Sequence, residues 1–336
     1  MVSTERIANN KASSCLALAM FLCATSSASA FSSPMFQEVK TMQRTSPSKM
    51  EGVEIELPDF DELFGRIQQV SPLARQVIQG SGETNQERGF DHIDDSWPSN
   101  LKWKNLEKKK RSTVHQIDKI DNFQNLGSPI FRFRSSLKGP CVGLCFANFI
   151  MNLEDRKKWD PQIEQVREEY PIYDLDTANI AMGFGKYGDC SRLGVGYCQT
   201  KGTMGITGRE QLTLCGIQEF PSSGSTVIWG TEMEPWHDHL LPAGERYTRA
   251  KSHLFSTTLT PTGDDTFDVE YVLQLEIGGK IPTWLTQPIV METVKGIFRH
   301  AESYFGGGEG SEVHQYFMEA ANQDSLAERH SILMTP

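Results

Sequence analysis

The chain runs to 336 residues with a formal charge of −10, 33 basic residues standing against 43 acidic ones. Nucleic-acid affinity rests on neutralised phosphates, so this balance argues against a broad nucleic-acid binder. It argues equally against stable docking on anionic membranes by charge alone.

The first elements are addresses. Arg6 and Lys11 precede an apolar run from Cys15 to Ala24, and Ala28-Ser29-Ala30 follows. A charged flank, a short apolar core and a small-x-small site read as a removable signal peptide over residues 1–30. The run is shorter than the roughly 20 residues a spanning helix needs. Residues 31–50 begin with Phe31 and are rich in Ser, Thr, Lys and Arg, with Glu38 as the one acid. Together the two segments look like the bipartite presequence of complex, secondary plastids, with secretion or the endoplasmic reticulum as the alternative. Cys15 and Cys23 lie in the leader, and the remaining Cys141, Cys145, Cys190, Cys198 and Cys215 cannot all pair. No Cys-x-x-Cys spacing occurs among them, which fits a reducing compartment.

Residues 51–95 read as an N-terminal helical extension and linker. Phe60, Leu63, Phe64, Ile67, Val70, Leu73 and Val77 recur at threes and fours, predicting one or two helices broken near Pro72. The first strands fall between Arg111 and Leu137, and Lys108-Lys109-Lys110-Arg111 reads as a solvated loop or strand edge. Asn152 would cap a helix carrying Arg156 and Trp159. Eight glycines lie between Gly183 and Gly208, read either as a hairpin insertion at the sheet edge or as a flexible lip over a pocket.

Strands are predicted at 211–219, 226–233, 246–259 and 267–277, divided by turns containing Pro and Gly. Gly278-Gly279 stop the last strand, and Pro282 suits a first helical turn. From Ile289 the residues Val290, Val294, Ile297, Phe298, Ala301 and Phe305 keep helical spacing, while Lys295 is expected to face water. Residues 307–336 form a tail outside the core.

Chemistry is sparse. His237 and His239 stand two apart between two prolines, in what reads as a loop and not as a metal-binding strand. There is no Gly-x-Ser-x-Gly elbow and no phosphate-cradling glycine loop. No catalytic residue, metal or cofactor is expected, and the protein is not read as an enzyme.

Four motifs in order resemble the START lipid-transfer family over residues 96–306. They are Asp155-Arg-Lys-Lys-Trp-Asp160, Thr207-Gly-Arg-Glu210, Arg246 to Pro261, and Gly278-Gly-Lys-Ile-Pro-Thr-Trp-Leu285. The last is most similar to the phosphatidylcholine-transfer branch. The resemblance implies an α+β helix-grip fold, with a curved antiparallel sheet wrapped around the long C-terminal helix. It implies a lipid ligand, a glycerolipid, carried between membranes by a monomer in transient membrane contact and without nucleic acid. A lipid-sensing regulator and an enzyme built on the same cup are the alternatives.

In that branch the Arg matching Arg156 meets the lipid phosphate, where a guanidinium donates two parallel bonds. The choline-holding rings are missing, with Ala181, Gln211 and His253 in their places, and Phe255 replaces a polar phosphate contact. A cationic headgroup favours an aromatic cage, so phosphatidylcholine itself fits poorly. The expected ligand-binding set is Arg156, Met182, Phe184, Leu212, Leu214, His253, Phe255, Leu273, Val290, Val294 and Ile297. Tyr271 or Val272 would join them, and Leu275 is the alternative to Leu273, but strand periodicity alone does not say which face points inward, because one residue of slip exchanges the faces.

Overall fold

The structure, a computed structural model, describes residues 57–80, 101–108, 113–138, 160, 162–170, 175–183, 185–202, 206–233, 247–263, 266–279, 281 and 283–305. The presequence, the tail, Arg156, Phe184, Cys141, Cys145, His237 and His239 lie outside the described residues.

Helix α1, Phe60–Val70, begins at Asp59, whose carboxylate accepts from the backbone of Asp61 and Glu62 at 2.9 and 3.1 Å. That satisfies two of the donors every helix start leaves open. Ser71 ends α1 and opens α2, Pro72–Gln79, its hydroxyl accepting from Ala74 N at 3.1 Å. Pro72 takes the first helical position, where a missing N–H costs nothing.

Among the described residues ten strands form one sheet. They are β1 (Lys104–Lys108), β2 (Val114–Ile120), β3 (Ile130–Lys138), β4 (Ile163–Tyr170), β5 (Asp189–Thr200), β6 (Arg209–Phe220), β7 (Ser225–Glu232), β8 (Thr248–Arg249), β9 (Lys251–Gly263) and β10 (Thr266–Glu276). Helix α3, Leu175–Ala181, precedes β5, and helix α4, Thr283–Phe305, follows β10. The strand order is β1-β2-β3-β10-β9-β7-β6-β5-β4, antiparallel throughout, with β8 added to β6 in parallel.

The α+β composition and the final helix are as expected, but the sheet does not curl around that helix. Its path is open, ending at β1 on one side and β4 on the other. The reason lies in the strands. Phe255 and Leu259 of β9, and Tyr271 and Leu273 of β10, join the apolar cluster under α4. Their neighbours Leu254 and Val272 point the other way, into a second cluster with α1, α2 and α3. A sheet apolar on both faces needs a layer on each.

Much of the glycine-rich stretch is regular strand and not a lip, while residues 184 and 203–205 within it lie outside the described residues. Asp189–Thr200 is strand β5, paired to β4 on one side and β6 on the other. Leu193, Val195 and Tyr197 are buried in the cluster facing α1 and α3. Gly194 and Gly196 alternate with them opposite Cys215 and Thr213, on the α4 side. A large-small alternation of period two was therefore visible in Leu193-Gly-Val-Gly-Tyr197.

Candidate functional site

The layer between α4 and the sheet is the place to look for a ligand. Helix α4 extends further towards its N-terminus than the apolar spacing predicts and contains Pro288, which cannot donate to the carbonyl of residue 284. It contributes Val290, Val294, Ile297, Phe298 and Ala301 to the cluster that includes Phe255, Tyr271, Leu273 and Cys215. The Tyr271 ring lies 6.4 Å from that of Phe298 and 6.0 Å from that of Phe133. Val290, Val294, Ile297, Phe255 and Leu273 each expose 2% or less, so the side chains meet across the layer. Burial of this kind stabilises by about 1.5–3 kcal/mol for each large aliphatic or aromatic residue.

The sheet beneath the helix is unequal. On the β3 and β10 side it is built of large rings. On the β5 to β7 side the α4-facing positions include Gly194, Gly196, Thr213, Cys215 and Gly230. The ring of Phe255 fills the space over Gly230, where an added Cβ would stand 2.1 Å from Cε1. Polar groups border this half. Gln211 donates through Nε2 to Thr213 Oγ1 at 2.6 Å, and Thr293 places a hydroxyl on the buried side of α4.

The structure thus brings together Phe255, Leu273, Val290, Val294 and Ile297, with Tyr271 and not Val272 on their side. Met182, Leu212 and Leu214 belong instead to the opposite cluster. In β6 the residues facing α4 are Gln211, Thr213, Cys215 and Ile217, one step out of phase with the apolar leucines chosen by hydropathy. Both faces are buried, so hydropathy carried no information about which one meets the helix. His253 is the extra residue of a bulge in β9, between the pairs Leu254 with Gln274 and Ser252 with Leu275. Its ring is held by Glu232 at 3.0 Å and lies 3.6 Å from Glu276. Arg66 of α1 donates to the His253 carbonyl at 3.3 Å, and burial lowers the pKa of its guanidinium.

The opposite face is closed by aromatic packing. Phe64 stacks on Tyr187 at 4.3 Å and meets Trp229 edge-on at 6.0 Å, and Phe60 meets Trp229 at 5.9 Å. Trp229 lies over Gly216, where an added Cβ would stand 2.5 Å from the indole. Cys190 is buried nearby, and burial pushes its thiol up to about 11. Among the described residues no group of three His, Cys, Asp or Glu could hold a metal. No described helix is long and apolar enough to cross a membrane.

No family model matches the chain, and no curated protein matches it. Solved structures do. Human StAR-related lipid transfer protein 5 is 13% identical with a TM-score of 0.50, over 74% of this chain and 98% of its own. Human STARD10 is 15% identical with a TM-score of 0.46, over 67% and 84%. A STAR-related lipid transfer protein fragment from Xanthomonas axonopodis is 17% identical with a TM-score of 0.45, over 61% and 98%. At these identities the likeness is one of fold, and the alignment at 0.50 carries it: an antiparallel sheet followed by a long C-terminal helix, START-like in kind.

Proposed function

From a START-like fold whose final helix covers an apolar layer, we propose that this protein binds a hydrophobic ligand, a glycerolipid, beneath α4 and transfers it between membranes. The observation that carries the reading is the stripe Val290, Val294, Ile297 and Phe298 lying on Phe255, Tyr271 and Leu273, next to a half-sheet surfaced with glycine and small residues. A carrier must offer an interior as apolar as the bilayer its cargo leaves. Roughly 30 methylenes at about 0.8 kcal/mol each amount to about 24 kcal/mol, so unaided escape is slow. An empty interior is costly as well: a cavity of roughly 400 Å3 costs about 10 kcal/mol. Close packing of the layer avoids that cost, and the lipid would enter as α4 moves.

The reading needs no covalent step and places binding within residues 96–306, acting as a monomer in transient contact with membranes. The human protein aligned at 0.50 is named for lipid transfer, which supports the class of ligand without fixing its headgroup. The motif order resembles the phosphatidylcholine-transfer branch, yet His253 is engaged with Glu232 where that branch holds choline with a ring. A glycerolipid with another headgroup therefore fits better. A regulator working through α1 and α2 fits less well, because their apolar stripes are already spent on the sheet. The site of action we assign is a complex plastid, reached through residues 1–50.

Native mass spectrometry of the mature protein, together with vesicle-to-vesicle transfer, tests this reading. Co-purifying diacyl lipid and accelerated transfer are expected. A mature protein that carries no lipid and accelerates no transfer would falsify the proposal.

A further inference from the structure

The entry to α4 is a joint of three segments. Strand β10 ends at Glu276, and Gly278 and Gly279 turn the chain with φ of 69° and 73°, values that favour glycine. An added Cβ on Gly278 would stand 2.2 Å from the Arg249 carbonyl oxygen, so residues 248–250 press directly on the turn. That segment is itself tied down. Thr248 N donates to Gly208 O at 3.0 Å, Ala250 N to Glu210 O at 2.9 Å, and Arg249 pairs with Glu210 at 3.1 Å.

The buried side chain of Arg209 reaches across this joint. Its Nε donates to the carbonyl of Ile277 at 3.0 Å, Nη2 to that of Gly278 at 3.3 Å, and Nη1 to the carbonyl of Thr207 and, at 3.1 Å, to its Oγ1. Ile277 and Gly278 lie past the last ladder pair of β10, Glu276 with Lys251. Their carbonyls have left the sheet and have not entered the helix, and a buried carbonyl requires a donor. A planar guanidinium serves three carbonyls and a hydroxyl at once, whereas an ammonium is a point donor.

We propose that Arg209 is a positioning residue for α4: it pins the N-terminal joint, so that ligand passes by movement of the distal part of the helix at a rate Arg209 helps to set. This rests on the reading that ligand lies beneath α4. Further along, the helix is held by side chains at its flank, through Lys119 to Gln287 at 2.8 Å, Lys295 to Glu107 at 2.6 Å, and Thr113 to Glu302. Such partly exposed ties exchange readily with water. The joint is fastened through buried main chain and gives way last.

The test uses the whole chain with Arg209→Lys, read by hydrogen exchange and by transfer of a trace fluorescent diacyl lipid from phosphatidylcholine vesicles. Amides of residues 277–287 should exchange about tenfold faster, as expected when buried carbonyls lose donors, while those of β9 and β10 stay protected. Lipid pick-up should speed up in parallel. A folded variant whose joint exchanges as slowly as the parent overturns the proposal. Should Arg209→Lys lose sheet protection as well, Arg209→Gln carries no charge to bury and has too few donors for the four acceptors. It should loosen the same segment by about twofold or more, and no loosening there also overturns the proposal. A loosened joint with unchanged pick-up refutes control over ligand passage. A loosened joint in a protein whose parent moves no lipid leaves the pin standing and removes the transfer reading.

Discussion

Glu270 shows how much one buried side chain can organise. Its carboxylate accepts from Ser71 Oγ at 2.7 Å, from Leu73 N at 3.0 Å and from Arg134 Nε at 2.7 Å. One group thereby ties β10 to β3 and sits at the positive end of α2. Breaking a buried pair leaves the other charge uncompensated, so Glu270→Gln should cost about 3 kcal/mol in urea unfolding. Glu276→Gln, at an exposed position, should change stability by under about 0.5 kcal/mol. Replacing both Glu270 and Arg134 by Met should cost less than the single change, because no orphaned charge remains. Cys190 gives a prediction in pH. Its thiol ionises near 9 when exposed and is pushed up to about 11 when buried, so the folded form holds its proton longer. The stabilisation is complete below about pH 9 and disappears as pH rises through about 11, roughly 3 kcal/mol in all. Cys190→Ala should remove that part of the alkaline decline in Tm. A thiol reagent that labels native Cys190 at pH 9 as fast as the unfolded chain would contradict this.

Among the elements, those with one clean periodicity were legible in the sequence. Phe60 to Val77 gave α1 and α2 because helices that bury a single stripe write it at threes and fours. Strands β6, β7 and β10 were bounded by their turns, whereas the single strand expected at 246–259 is split into β8 and β9, and β9 runs on through the expected turn to Gly263. Strand β5 was hidden because two of its α4-facing positions, Gly194 and Gly196, are glycines, which read as a loop when counted by composition and as a strand only when Leu193, Val195 and Tyr197 are taken alternately. The face of β6 was misassigned for a related reason: Leu212 and Leu214 are the more apolar set, but they meet α1 and not α4. Arg209 stood out as part of the motif Thr207-Gly-Arg-Glu210, but its role at the joint was not legible, since it depends on carbonyls nearly seventy residues away. Lys295, expected in water, is tied to Glu107, which makes exposed His300 the proper comparison for a charge placed under α4. Val294→Asp should lower bound lipid about fivefold or more while β-sheet circular dichroism survives, since an unpaired buried carboxylate lifts the helix or protonates. His300→Asp should leave loading intact. Equal loading in the two variants would mean that α4 does not cover the ligand, and loss of the sheet in Val294→Asp would mark an ordinary solid core.

As a whole, the described part of the molecule is an open sheet with helices on both sides, and its outermost strands are β1 and β4. Lys104 and Lys108 are exposed on β1, where charge discourages another strand from adding. The proposed address is a property of the whole chain and is tested there. A fluorescent fusion of residues 1–50 should enter plastids, and Phe31→Ala should divert most of it to outer compartments. Secretion of the unaltered fusion would remove the plastid assignment. The bond from Ser71 to Glu270 has one more consequence, because it joins residues 199 apart in the chain. During synthesis α1 and α2 emerge early, with Phe60 and Phe64 in an apolar stripe and no surface to lay it on. Their seat is made of Tyr187, Trp229 and Glu270, none of which yet exists. Long-range closure of this kind slows folding. The N-terminal helices are therefore made first and settled last, and a nascent chain stalled before β10 would display an aromatic stripe that suits a chaperone.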